Sequence, residues 1–424
     1  MVTDAQGNVL TAATPKAAEH FNQAVVLFSL YRGDPIAAVD NALSEAPGFA
    51  MAHIAKAYML ATATEPALTQ QALGIVQKLS STSLPEREAS HLQALTLLLG
   101  GWWSKAGLQL DLHNARYPKD MLAVQAGHLI DFFHGNARNL RDRIARVLPL
   151  WPVDMPGYPM LLGMYAFGLE ETGDYSKAED RGRRAVELEP LDSWAHHAVA
   201  HVFEMQGRSQ EGADWMSSRQ AYWADEENFF KVHNWWHHAL YLMQLGRGDE
   251  ALSIYDSYIR KEPSAVVLEL IDASALLWRL HLAGIDPANR WAQVADAWGA
   301  HADGRSYTFN DWHAVMAYLG AGREHDVARL IAEFQRSRND KVEIDEWAMN
   351  IALPLAQGFR AYWHEDYSTA IQKLHGVRLI ANQFGGSHAQ RDVIDLTLLE
   401  AARRGGQLDL ARALANERSA LRPS

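Results

Sequence analysis

A short unit recurs along this chain of 424 residues: a glycine turn, a helix-forming run with small residues at fixed offsets, and a closing proline. Thr172 to Pro190 reads TGDYSKAEDRGRRAVELEP, and Leu245 to Pro263 reads LGRGDEALSIYDSYIRKEP. Tyr31 to Pro47 (YRGDPIAAVDNALSEAP) is an earlier copy, and His364 to Leu374 (HEDYSTAIQKL) is a degenerate later one. A unit of this size cannot bury its apolar face alone, so successive copies must stack on one another. Ala178, Ala185 and Ala251 are small enough to let two helices approach closely. Proline then ends the unit, because it cannot continue a helix.

Gly173 and Gly207 are 34 residues apart, the period of a tetratricopeptide repeat, and Gly246 follows 39 residues later. Strand-like alternation is scarce, and Ala/Leu-rich runs of helical period dominate. The expected fold is therefore all-α: a tetratricopeptide-like helical-repeat superhelix, an α-solenoid curved or closed on itself. Three blocks are expected. Residues 1–150 hold degenerate N-terminal repeats, 151–284 the central repeats with a His-rich inner face, and 285–424 the C-terminal repeats. The first boundary rests on WPVDMPGY (Trp151 to Tyr158), with two prolines and a glycine. Ile285 to Thr308 reads as a long excursion with a short helix around Trp291 to Trp298.

Composition narrows the function classes. Lys+Arg of 39 against Asp+Glu of 51 leaves a net charge of −12, a poor match for nucleic acid, whose phosphates need clustered cations. With no cysteine there is no disulfide, thiolate nucleophile or Cys-ligated metal. The N-terminal residues lack the basic and apolar parts of a signal peptide, and no run approaches a membrane span, so the expected setting is cytoplasmic, without membrane contact. No P-loop, dinucleotide fingerprint, nucleophile elbow or kinase motif is present.

Several long motifs occur in a fixed order: YAFGLEETGDYSKAE, WAHHAVAHVFEMQGRSQEG, HNWWHHAL, DASALLWRL, FNDWHAVMA and GGSHAQRDVIDLTLLEAA. In these the chain resembles the tetratricopeptide repeat protein 38 family over essentially its whole length, including the Asp4 to Leu10 stretch. The resemblance implies an α-helical tetratricopeptide-like fold. It attaches no reaction and no site.

The candidate site comes from the residues. Counting back 3, 6, 10 and 13 positions from the turn glycine Gly207 reaches Glu204, His201, His197 and Trp194. At about 100° per residue these fall within roughly 80° of arc, on the stripe that faces the groove in repeats of this type. The same count from Gly246 gives Met243, Leu240, Trp236 and His233, with His237 one turn after His233. Further along lie Asn310 and His313 in FNDWH, and His388, Arg391 and Asp392 in GGSHAQRD. His197, His201, Glu204, His233, His237, His313, His388 and Asp392 are the candidate catalytic groups, with Asp392 one turn from His388 and placed to fix its tautomer. Trp194, Trp236, Asn310 and Arg391 are the candidate ligand wall.

His197, His201, Glu204 and His233 are the set that would hold a divalent metal, although imidazole hydrogen bonding explains the same residues. Asp272 and Arg279 share a face of IDASALLWRL and complete the polar set. Two functions compete. One is an interaction scaffold binding a protein or peptide in this pocket. The other is a small-molecule enzyme of hydrolase or lyase type, with or without a metal, or a ligand-binding protein using the same pocket.

Overall fold

A computed structural model of the chain describes residues 1–336 and 342–421. Among these residues all regular structure is helical, and the β features are two isolated bridges, Thr3 to Val9 and Arg32 to Asn228. No helix among them is long and apolar enough to cross a membrane. The fold is an all-α, tetratricopeptide-like array of antiparallel helix pairs.

The pairs owe their regularity to one turn chemistry. Gly173, Gly207 and Gly246 take the left-handed conformation, with φ of 82°, 67° and 74°. The next amide then reaches back to a carbonyl of the preceding helix: Asp174 to Leu169, Arg208 to Phe203, Arg247 to Leu242. This is the bond pattern by which a glycine just past a helix end satisfies otherwise orphaned carbonyls. Gly33 is also left-handed, as expected, but the helix before it already ends in left-handed Tyr31, and Arg32 bonds back to Leu27. The same pattern recurs at Gly101, Gly135, Gly284, Gly322 and Gly406, and at Glu365, where a side chain bears the strained conformation.

Within a pair the two helices differ in burial. Tyr158–Glu171 is buried nearly all round, whereas its partner Tyr175–Leu188 buries only Ala178, Gly182, Ala185 and Val186. Thr308–Gly320 and Glu324–Gln335 repeat the contrast. A helix apolar on every face is interior, and one with a single apolar stripe lies at the surface. The small residues set the spacing: a Cβ on Gly182 would come within 2.5 Å of the Val199 side chain.

Two compact units are formed, residues 1–199 with 221–230 and residues 200–220 with 231–424. In the first, Arg143 is fully buried among the pairs, bonding Asp131 (2.8 Å), Asn114 (2.9 Å) and the Gly107 carbonyl (2.9 Å). The N-terminal stretch is pinned to the same unit: Arg87 bonds the Val9 carbonyl and reaches Asp4, whose carboxylate accepts the Asn8 amide. The Trp151–Gly157 loop lies here too, with the Trp151 indole donating to the Pro118 carbonyl (2.8 Å).

In the second unit, Ile285 to Thr308 differs from the excursion expected from its sequence. Arg290–Trp298 is the second helix of a regular pair with Val267–Leu282, turning at left-handed Gly284, and it buries Trp291, Val294, Ala295 and Trp298. The Asp286-Pro287 and Asp303-Gly304 steps flank this helix as its connections. The short helix was legible; its role as an ordinary repeat element was not.

Candidate functional site

The second unit gathers most of the candidate groups. His201 and Glu204 come from Ser193–Met205, a helix that begins in the first unit's residues and ends in the second's. His233, Trp236 and His237 come from Lys231–Gln244, Asp272 and Arg279 from Val267–Leu282, and Asn310 and His313 from Thr308–Gly320. All of these helices are first members of their pairs. Their register puts polar residues at interior positions, and each of these side chains is at most 4% exposed. The stripe read from sequence as a groove surface is therefore an interior surface.

His233 donates from Nδ1 to the Asp272 carboxylate, at 2.8 and 3.0 Å from its two oxygens. A carboxylate on Nδ1 fixes the tautomer and turns the Nε2 lone pair outward from the pair. The His233 ring stacks on Trp236 (5.2 Å between centroids, 14° between planes). It meets His237 edge to face at 4.8 Å, and His237 meets His201 at 4.6 Å. Each of His201, His233 and His237 offers a ring nitrogen within 4.8 Å of the others'. The Arg279 guanidinium lies 5.3 Å over Trp236 and donates to the Ala389 carbonyl (2.7 Å).

Burial sets the electrostatics. It holds His237 well below the usual imidazole range, and His201, His233 and Arg279 add to the effect, so this ring stays neutral. Burial also pushes Asp272 up, against the pull of His233 and Arg279. His313 is pushed down to about 3, again by burial first, with Arg279 as a further cause and the Phe309 carbonyl opposing. Its Nδ1 donates to that carbonyl at 2.9 Å. Among the described residues, His313 Nε2, the Trp236 indole N–H and both polar atoms of Asn234 are buried without a hydrogen-bond partner. Buried polar atoms of this kind are uncommon, and each calls for an explanation such as a ligand, ion or water.

The remaining candidates have contacts of their own. Trp194 and His197 belong to the first unit, where they pack on each other (4.9 Å) and on Phe167. Glu204 accepts a 2.6 Å bond from Gln244. His388, Arg391 and Asp392 line a cleft of about 310 Å3 with Arg378, Asp395 and Arg418. There Asp392 takes the Arg418 guanidinium, while Arg378 pairs with Asp395 and Glu417. Gly385 and Gly386 are both left-handed in φ, their carbonyls face Arg391, and Ser387 and Gln390 form a reciprocal cap. The paired glycines thus make a helix entry turn. Asn310 and Asp311, which resemble a helix cap in sequence, lie inside the first turn, where Asp311 accepts the Gly304 amide (2.9 Å).

Sequence reasoning passed over a second imidazole cluster, in the first unit. His91 and His113 both bond Asp120 Oδ2 through Nε2, at 3.0 and 3.1 Å, and Arg87 Nε joins them at 2.6 Å. The signal available was only that Asp120 precedes a helix-forming run as an N-cap; its three partners come from other helices.

No family model matches the chain. Among solved structures, the backbone is similar to that of a human IFIT1 dimer with m7Gppp-AAAA, at 13% sequence identity and a TM-score of 0.45, over 96% of this chain and 94% of that one. So distant a likeness carries nothing about ligand, partner or reaction, and the helix pairs themselves establish the fold.

Proposed function

We propose that this helical-repeat protein, akin to the tetratricopeptide repeat protein 38 family in its motif order, takes a small organic ligand into its second unit. It acts on that ligand by acid–base chemistry of hydrolase or lyase type. The observation that carries the reading is the His233–Asp272 pair, a buried imidazole held by a buried carboxylate. Such a carboxylate orients the base and stabilises the imidazolium that forms when the base takes a proton. His201 and His237 adjoin it as neighbouring donors or acceptors, and Trp236 supplies an apolar wall. His197, one turn before His201 on the same helix, stays a candidate by spacing. The net charge of −12 supports a ligand other than nucleic acid.

An interaction scaffold is the second reading. Leu108 and Leu112 favour it, one turn apart on Trp103–Arg116 and 59% and 58% exposed. The two readings separate when the full chain is incubated with a cell extract split into small-molecule and protein fractions. Mass spectrometry is expected to show a small compound retained or consumed by the wild type and untouched by His233→Gln. A wild type that alters nothing in the small-molecule fraction, yet retains a protein through Leu108 and Leu112, overturns the enzyme reading.

A further inference from the structure

The three neighbouring imidazoles of the second unit have the character of a metal-binding set. We infer that the second unit binds a divalent cation of the zinc class through ring nitrogens of His201, His233 and His237, with Asp272 as the positioning carboxylate. The inference rests on the imidazole-site reading above and names the occupant of that site; with the ion bound, Asp272 positions a ligand ring and His233 no longer takes the proton itself.

The first support is convergence. The three nitrogens lie within 4.8 Å of one another. Around a tetrahedral zinc with Zn–N bonds of about 2.0–2.1 Å, neighbouring nitrogens stand roughly 3.3 Å apart. The gap is at most about 1.5 Å, within the reach of side-chain torsions, and the edge-to-face ring pairs let lone pairs turn toward a common point. Stacked imidazoles would point them in parallel instead.

The second support is the outer contact. A metal-bound histidine almost always donates its remaining N–H to a carboxylate or carbonyl, which fixes the ring and raises its basicity. His233 does this with Asp272, from Nδ1, leaving Nε2 as the ligand atom. The third is the donor set. All-nitrogen donors select a borderline metal such as zinc, cobalt or nickel over magnesium or calcium, which take oxygen.

The surroundings fit a polarising ion. Asp272 bonds one of the three rings and Arg279 lies over Trp236 beside them. A dication held there would polarise a carbonyl oxygen, the substrate chemistry a hydrolase or lyase would use.

The experiment uses the full chain, stripped with a chelator and then titrated with Co2+ and Zn2+. One equivalent of Co2+ is expected to give visible ligand-field bands, which Zn2+ abolishes by displacement. His237→Gln, chosen to keep a polar side chain of similar size, is expected to lose the bands. Asp272→Asn should weaken binding about 10- to 100-fold. His325→Ala, on the exposed face of Glu324–Gln335, should change nothing. Circular dichroism confirms that each variant is folded. If His237→Gln is not, His201→Gln repeats the test from another helix and His233→Gln from one turn earlier on the same helix.

Cobalt bands that never form in the wild type overturn the inference, as do bands that survive the combined substitution of all three histidines. If the small-molecule capture above persists in chelated protein, the metal fails while the imidazole-site reading stands. A stoichiometric metal at the three histidines without any small-molecule capture upholds the metal and removes the enzyme.

Discussion

Each unit of this molecule buries a cluster of imidazoles around an aspartate, and the two clusters are built in opposite senses. In the first unit the carboxylate is the hub. Asp120 Oδ2 receives His91, His113 and Arg87, while Oδ1 caps the next helix through the Ala123 amide. Oδ2 thus takes three donors and Oδ1 a fourth, and a guanidinium stands where a cation would have to sit. In the second unit the imidazoles are the hub. Asp272 serves His233 alone among the three rings, and His201, His233 and His237 face one another. Residue types are nearly the same in both. Whether such a cluster braces a fold or binds something is decided by which group occupies the centre.

Removing the two carboxylates is the most direct way to break this contrast. Asp120→Ala removes the acceptor of two buried imidazoles and of Arg87 Nε, leaving that guanidinium only the Val9 carbonyl and Asp4, and uncaps a helix, so it should cost about 3–5 kcal/mol. Asp272→Ala strands one imidazole, while Arg279 keeps its bonds to the Ala389 and Ala275 carbonyls, so about 1–3 kcal/mol is expected. Urea unfolding of both variants reads the difference. Were Asp272→Ala the costlier change, the second cluster would be the brace.

Gly386→Ala tests the second cluster without touching an imidazole. Gly386 has φ of +76°, and a Cβ there would stand 2.5 Å from the Phe309 ring, which packs on His313 at 4.6 Å. A cost of about 1–3 kcal/mol is expected from the strained backbone and the displaced ring together. A metal affinity unchanged in this variant would separate His313 from the three-histidine set; a weakened one would join them.

Local signals carried the fold and only half of the site. The turn glycines at 173, 207 and 246 announce themselves because few other residues tolerate a left-handed turn, but Tyr31 and Glu365 fill equivalent turns with no such mark. The count back from Gly207 and Gly246 selected residues that, half-buried Met243 apart, do share burial, because helical period is a property of the sequence. What it could not give is depth, since a groove wall and a packed interior have the same period. Asp272 and Arg279 were recognisable as one face of a helix. Asp272 meeting His233 across 39 residues, and Asp120 meeting His91 across 29, depend on pair-to-pair packing that leaves no spacing in the chain.

His128 sharpens the comparison from a third side, as a buried imidazole belonging to neither cluster. It lies on Met121–Phe133 against Phe167 and Trp194, both ring nitrogens lack a hydrogen-bond partner among the described residues, and burial pushes it down to about 3. A ring that neither braces nor binds should be replaceable by a hydrocarbon of similar shape. His128→Phe is therefore expected to leave stability at pH 7 unchanged or raise it by about 1 kcal/mol. The sign in acid follows from linkage. The unfolded ring protonates near its ordinary value of 6.5 and the folded one only near 3, so the unfolded state binds more protons in between. Wild-type stability from this residue is complete above pH 6.5 and is lost as the pH falls from 6.5 toward 3, by up to about 1.4 kcal/mol per unit. The wild-type minus His128→Phe difference should show that slope, while the contributions of the other titrating groups cancel because both chains keep them. A variant that loses several kcal/mol at pH 7, or keeps the full wild-type slope, would show that His128 holds a partner of its own.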